Sequence, residues 1–220
     1  MTAHTLLQQI DDNLGAVVEK TRRSLVAISN PSGRLRTGRS GHGAGTIWHP
    51  DGLILTNAHV VHVKSPTVTL ADGRQFPARL LAHEPVLDVA ALAIDAHDLP
   101  AIELGESTTL RAGQWVLALG HPWGVHGAVS SGVVIGVGAE WPELPQPQRG
   151  RLVSEGAAPG GEWLVAGLQL RPGHSGGPMV DTRGRLVGIN TMMAGSGVGV
   201  AVPVHVVKRY LKRVLGRQNE

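Results

Sequence analysis

The chain has 220 residues, 42% hydrophobic and 17% charged, a balance that gives a packed globular body and excludes a disordered tail. It has no cysteine, so disulfides, thiolate metal sites and a cysteine nucleophile are excluded. The formal charge of +3 is carried mostly by arginine, with one cluster at Arg34, Arg36 and Arg39 and another at Lys208, Arg209, Lys212, Arg213 and Arg217. Only Tyr210 lies among these bases, so both clusters read as solvated surface, and no nucleic-acid partner is expected.

In chain order, Leu7, Ile10, Leu14, Val17 and Val18 recur at helical spacing and predict an amphipathic helix over residues 5–22 that packs on the body. No basic region followed by an apolar run precedes it, and no stretch approaches the roughly 20 apolar residues needed to span a bilayer. The chain as written therefore reads as cytoplasmic, or as exported if a leader has been trimmed. From Ser24 the pattern changes to short β-rich runs: SLVAI, AGTIW, GLILTN, PTVTLA, QFPARLLA and DVAALAI. Asp51-Gly52 and Asp72-Gly73 mark hairpins between them. A second series follows Gly113, namely QWVLALG, VSSGVVIGV, EWLVAGLQ, GRLVGINT and GVGVAVP. Residues 204–215, with Val204, Val207, Leu211 and Val214, predict a closing helix. Gly33–Gly43 and Glu140–Gly161, rich in Gly, Pro and polar residues, read as surface loops.

Two successive sets of strands framed by helices predict an all-β fold. Its expected form is two six-stranded antiparallel β-barrels within one domain, about residues 24–108 and 109–203, closed by a helix over 204–220.

The stretch RPGHSGGPMV, residues 171–180, then admits two chemistries. Gly173-His174-Ser175-Gly176-Gly177 fits the G-x-S-x-G elbow of an α/β-hydrolase, and equally the G-x-S-G-G-P turn of a trypsin-fold protease. An elbow must be followed by a helix, and its acid and histidine must come later in the chain. After Ser175 comes strand, turn and strand, and few residues fit as partners, with Asp181 in the hairpin and His205 opening the final helix, so the elbow reading fails. The trypsin-fold order of His, Asp and Ser is met by His59, Asp88 and Ser175. His59 follows the strand GLILTN, and Asp88 heads an apolar strand where burial demands a hydrogen-bonding partner. His59 and His62 are three apart but find no second convergent pair, so neither a metal nor any other cofactor is expected.

GAGTIWHPDGLILTNAHVV, LDVAALAI, LGHPWG, SSGVVIG, RPGHSGGPMVDTRGRLVGINT and GVGVAVP resemble, in order, blocks of the HtrA (Deg) family of trypsin-fold serine proteases. The resemblance covers most of residues 24–207 and implies endopeptidase cleavage of unfolded or damaged proteins. It implies Ser175 as nucleophile, His59 as general base and Asp88 as the residue that orients it. The backbone N–H groups of Gly173 and Ser175 would form the oxyanion hole, with the Pro172–Gly173 peptide as a switch that adds or removes a donor. Gln169, where a trypsin-like pocket carries aspartate, argues against a preference for Lys or Arg. With Leu170 and Arg171 on one wall and Gly197, Val198, Gly199 and Val200 on another, small aliphatic side chains are expected in the pocket. Extended polypeptide would bind by strand addition.

The chain departs from the family in three ways. His174 replaces the usual Asn or Asp, EWLVAGLQLRP differs from the usual wording, and no PDZ domain follows the closing helix in this sequence. The loss of an acid at 174 argues against activation by processing. A homotrimer is the assembly the resemblance implies, and a non-catalytic chaperone or peptide-binding module is the alternative function.

Overall fold

A computed structural model describes residues 3–30, 42–138 and 162–216. The arginine cluster at 34–39, most of both expected surface loops and Arg217 lie outside the described residues. Helix α1 spans Ala3–Arg23 and helix α2 spans Val204–Leu215, close to the expected bounds. No helix among the described residues is long and apolar enough to cross a membrane.

The first sheet contains β1 (Leu25–Ser29), β2 (His42–His49), β3 (Leu53–Thr56), β4 (Thr67–Thr69), β5 (Gln75–Pro77), β6 (Arg79–Glu84) and β7 (Val89–Ala93). Its order is β5-β4-β1-β2-β3-β7-β6, antiparallel throughout. This differs from the closed six-stranded barrel expected. The run QFPARLLA, read as one strand, is divided at Ala78, whose N–H turns aside to the Pro66 carbonyl at 2.8 Å. Its first half pairs with β4 and its second with β7, so one bent segment supplies both ends of a seven-stranded sheet. A proline at 77 has no N–H for the ladder, which suits it to such a break.

The second sheet closes as expected. Strands β8 (Trp115–Gly120), β9 (Ala128–Gly138), β10 (Trp163–Gly167), β11 (Pro178–Asp181), β12 (Leu186–Gly195) and β13 (Val198–Pro203) form a barrel in the order β10-β13-β12-β11-β8-β9. The predicted hairpins fall where the turn glycines require them, with Gly52 at φ +86° and Gly73 at φ +88°.

One apolar cluster joins the two sheets. Leu55, Val89 and Ala91 of the first meet Leu117, Leu119 and Ile189 of the second, and Val207 and Leu211 of α2 pack against the same group. Val17 of α1 belongs to it, with Leu14 and Val18 at its edge. The stripe expected along α1 is therefore only half covered, because Leu7 and Ile10 remain 64% and 45% exposed. Burying a Leu or Val side chain contributes about 1.5–3 kcal/mol, so the C-terminal half of α1 anchors the helix.

Candidate active site

Where the two sheets meet, the 3-10 turn Ala58–Val60 follows β3 and presents His59. Asp88, fully buried, immediately precedes β7, which pairs with β3. His59 Nδ1 lies 2.8 Å from one Asp88 carboxylate oxygen and 3.0 Å from the other, and the His59 backbone N–H donates to Oδ1 at 3.1 Å. An ionised carboxylate only accepts, so Nδ1 carries the proton that His59 shares with Asp88. Asn57 Nδ2 donates to the Asp88 carbonyl at 2.9 Å, and His83 Nε2 meets the Ala58 carbonyl at 3.0 Å. Asp88 itself sits at φ +53°, a left-handed conformation that Asp tolerates better than most residues.

Ser175 arrives from the barrel. Its carbonyl accepts from the Ala44 N–H of β2 at 2.8 Å, and Gly176 donates to the Asn190 carbonyl of β12 at 2.8 Å. The turn that carries Ser175 is thus pinned to both sheets through backbone groups. Thr191, next in β12, joins the parts that the sequence left separate. Its hydroxyl donates to Asp88 Oδ2, and its carbonyl accepts from Ser175 Oγ at 3.0 Å. One buried threonine therefore links Ser175 to Asp88, to which His59 is bonded. Sequence reasoning missed Thr191, because in GRLVGINT it reads only as another strand residue.

The turn before the serine is closed by the His174 N–H donating to the Arg171 carbonyl at 2.9 Å. Pro172 and Gly173 fill its centre, and Gly173 has φ +106°, as a type II turn requires at that place. A Cβ on Gly173 would stand 2.5 Å from the His121 carbonyl oxygen, so only glycine fits. The His121 N–H in turn holds the Gly173 carbonyl at 2.8 Å, which gives the segment GHPWG its place beneath the turn. Among the described residues, no protein acceptor takes the N–H of Gly173 or Ser175.

The residues expected in the pocket divide. Leu170 is buried, donates its N–H to the Met193 sulfur at 3.0 Å, and packs where Gly199 lacks a side chain. Val198, Gly199 and Val200 lie in β13, and Gly197 is in the hairpin turn before it. Gln169 and Arg171 are instead at the surface. Arg171 donates to Gln169 Oε1 at 3.0 Å and lies 5.2 Å over the ring of Trp123. Met193 and Trp123 are further residues that sequence reasoning did not single out.

Two histidines underlie the turn. His174 is 4% exposed, and both its Nε2 and that of His121 are buried without a hydrogen-bond partner. Burial pushes His121 down to about 4, with His126 and His174 adding to the effect. The backbone of Val26 works the other way, but Nε2 reaches no acceptor at hydrogen-bonding distance. His174 is lowered too, again chiefly by burial. Unfolded, each histidine titrates near its ordinary 6.5. Between that value and about 4 the unfolded chain binds more protons, so stability present above pH 6.5 is lost as pH falls through this window. Each such proton contributes a slope of about 1.4 kcal/mol per pH unit. Urea unfolding at pH 7 and pH 5 is expected to show a steeper loss for wild type than for His121→Gln. Equal losses would contradict it.

Comparisons with known proteins give the family and the fold relatives. The family model described as trypsin-like peptidase domain matches residues 43–189, and the chain belongs to that family. Its relatives are of HtrA type. Serine protease HTRA2, mitochondrial, of Drosophila willistoni is 37% identical over 182 residues, covering 81% of this chain and 40% of that protein. The protein of the same name from Drosophila virilis is 36% identical over 182 residues, 81% of this chain and 41% of its own. The chain thus spans about two-fifths of the length of these curated relatives. Among solved structures, HtrA-type protease AlgW with tripeptide matches at a TM-score of 0.76 and 28% identity, covering 91% of this chain and 63% of that one. The serine endoprotease from Yersinia pestis matches at 0.74 and 28%, covering 91% and 66%.

Proposed function

We propose that the protein is a serine endopeptidase of HtrA type that cleaves unfolded or damaged polypeptides. The observation that carries this reading is the buried Asp88 bonded to His59 at 2.8 Å and linked through Thr191 to Ser175. Attack begins with rotation of the Ser175 hydroxyl from the Thr191 carbonyl toward His59 Nε2. Nε2 takes the hydroxyl proton as Oγ bonds to the scissile carbonyl carbon. The carbonyl oxygen becomes an oxyanion, stabilised by the amides of Gly173 and Ser175. His59 then returns the proton to the leaving amine as the C–N bond breaks, and water releases the acyl group by the same path. Asp88 keeps the proton of His59 on Nδ1 throughout and stabilises the imidazolium.

Leu170, Met193 and the side-chain-free Gly199 support a small apolar pocket, and the surface position of Gln169 offers no buried charge for Lys or Arg. The exposed Leu7 and Ile10 of α1 supply an apolar surface that supports the homotrimer the resemblance implies. Fluorophosphonate labelling and digestion of unfolded casein test the reading. Cleavage sites are expected to follow Val, Ala, Ile or Leu. A dominant Lys/Arg pattern would overturn the pocket, and a folded protein that neither labels nor cuts would leave the chaperone function instead.

A further inference from the structure

His174 grips the Arg171 backbone twice. Its own N–H donates to the Arg171 carbonyl at 2.9 Å, and its ring Nδ1 lies 3.1 Å from the Arg171 nitrogen and 3.2 Å from the Arg171 oxygen. In one tautomer Nδ1 accepts from the Arg171 N–H, and in the other it donates to the carbonyl. In both, the ring fills the inside of the turn and meets its first residue. The ring does so at a cost, since Nε2 is buried with no partner, a group that an apolar side chain of similar size would not bury.

The rest of the turn is held from outside. His121 fixes the Gly173 carbonyl, and the Arg171 side chain is occupied by Gln169 and Trp123. Among the described residues, no protein group holds the Pro172–Gly173 peptide, whose N–H is the first of the two oxyanion donors proposed above. Its direction is set by the residues on either side, Arg171 and His174, which the His174 N–H joins through the backbone and the imidazole ties a second time.

We infer that His174 is a positioning residue for catalysis: its ring, bonded to the Arg171 backbone from inside the turn, keeps the Gly173 and Ser175 amides aimed at a single point. The inference rests on the protease reading. A residue that served only to fill space could be replaced by leucine without effect on the chemical step. A positioning residue could not, because a small misplacement of donors weakens transition-state binding while leaving the substrate contacts intact.

The test compares wild type, His174→Leu and His174→Asn on a peptide amide, with thermal unfolding as the control for folding. For His174→Leu, kcat is expected to fall about 10- to 100-fold with KM within about twofold of wild type, the pattern of an interaction made in the transition state. Affinity for a peptide boronate, which builds a tetrahedral adduct on the serine, should fall in parallel. His174→Asn, with a carboxamide that both donates and accepts, should restore kcat to within about threefold. If the leucine variant does not fold, His174→Ala takes its place with the same expectation. A folded variant lacking the ring that keeps wild-type kcat, or loses only KM, overturns the inference. A wild-type protein that neither cleaves the peptide nor labels overturns the protease reading itself.

Discussion

Ser175→Ala is expected to abolish casein cleavage and fluorophosphonate labelling, lowering kcat by about a million-fold while leaving the fold intact. Removing the serine or the histidine of a triad costs about as much as removing all three members, because these two act as a unit. Stability is a separate matter at this position. The Ser175 hydroxyl donates to the Thr191 carbonyl, a neutral hydrogen bond worth about 1 kcal/mol net. The turn is held instead by backbone groups that alanine retains, namely Ser175 O to Ala44 N, Gly176 N to Asn190 O, and Gly177 N to His174 O, all between 2.8 and 2.9 Å. Denaturation midpoints of the two proteins should therefore nearly coincide. Residual cleavage by the alanine variant at the wild-type rate would show that another group, or a contaminant, does the chemistry.

Periodicity and turn residues made most of the fold legible. Strand alternation and Asp-Gly pairs located the hairpins, and helical spacing located both helices to within two residues at their well-packed ends. What escaped was closure. Nothing in QFPARLLA distinguishes one strand from two, since the break at Ala78 depends on where its N–H finds an acceptor across the sheet. The extent to which α1 is covered escaped as well, because amphipathic spacing shows which face is apolar and not how far the body reaches along it. At the site, chain order and local wording picked out His59, Asp88 and Ser175. Thr191 was invisible because its role comes from facing Asp88 across 103 residues of chain. Leu170 and Gln169 are neighbours in sequence with opposite fates, one buried and one at the surface, and strand alternation over a barrel rim of uncertain register could not assign them.

Asp88→Asn is the second variant expected to fail in the chemical step, losing about 10⁴-fold in kcat with the backbone preserved. Asparagine is the informative replacement here. Residue 88 sits at φ +53°, which Asn adopts as readily as Asp and which would strain alanine. Both carboxylate oxygens act as acceptors: Oδ1 takes the His59 backbone N–H, and Oδ2 takes His59 Nδ1–H and the Thr191 hydroxyl. A carboxamide has one acceptor and one donor group, so neither orientation satisfies all three. With its NH₂ toward Nδ1, the ring must accept there and carry its proton on Nε2, where it can no longer receive one from Ser175. With the NH₂ toward the His59 backbone, two donors oppose each other beside a fully buried group, which loosens the turn that carries the histidine. The first arrangement spares the fold and costs the base, so it should prevail. Imidazole ¹⁵N shifts should then show the proton of His59 moved from Nδ1 to Nε2, alongside lost peptide cleavage and a folded circular-dichroism spectrum. A variant with wild-type kcat, or one whose Nδ1 remains protonated while activity is lost, would mean that Asp88 does not act by fixing the tautomer of His59.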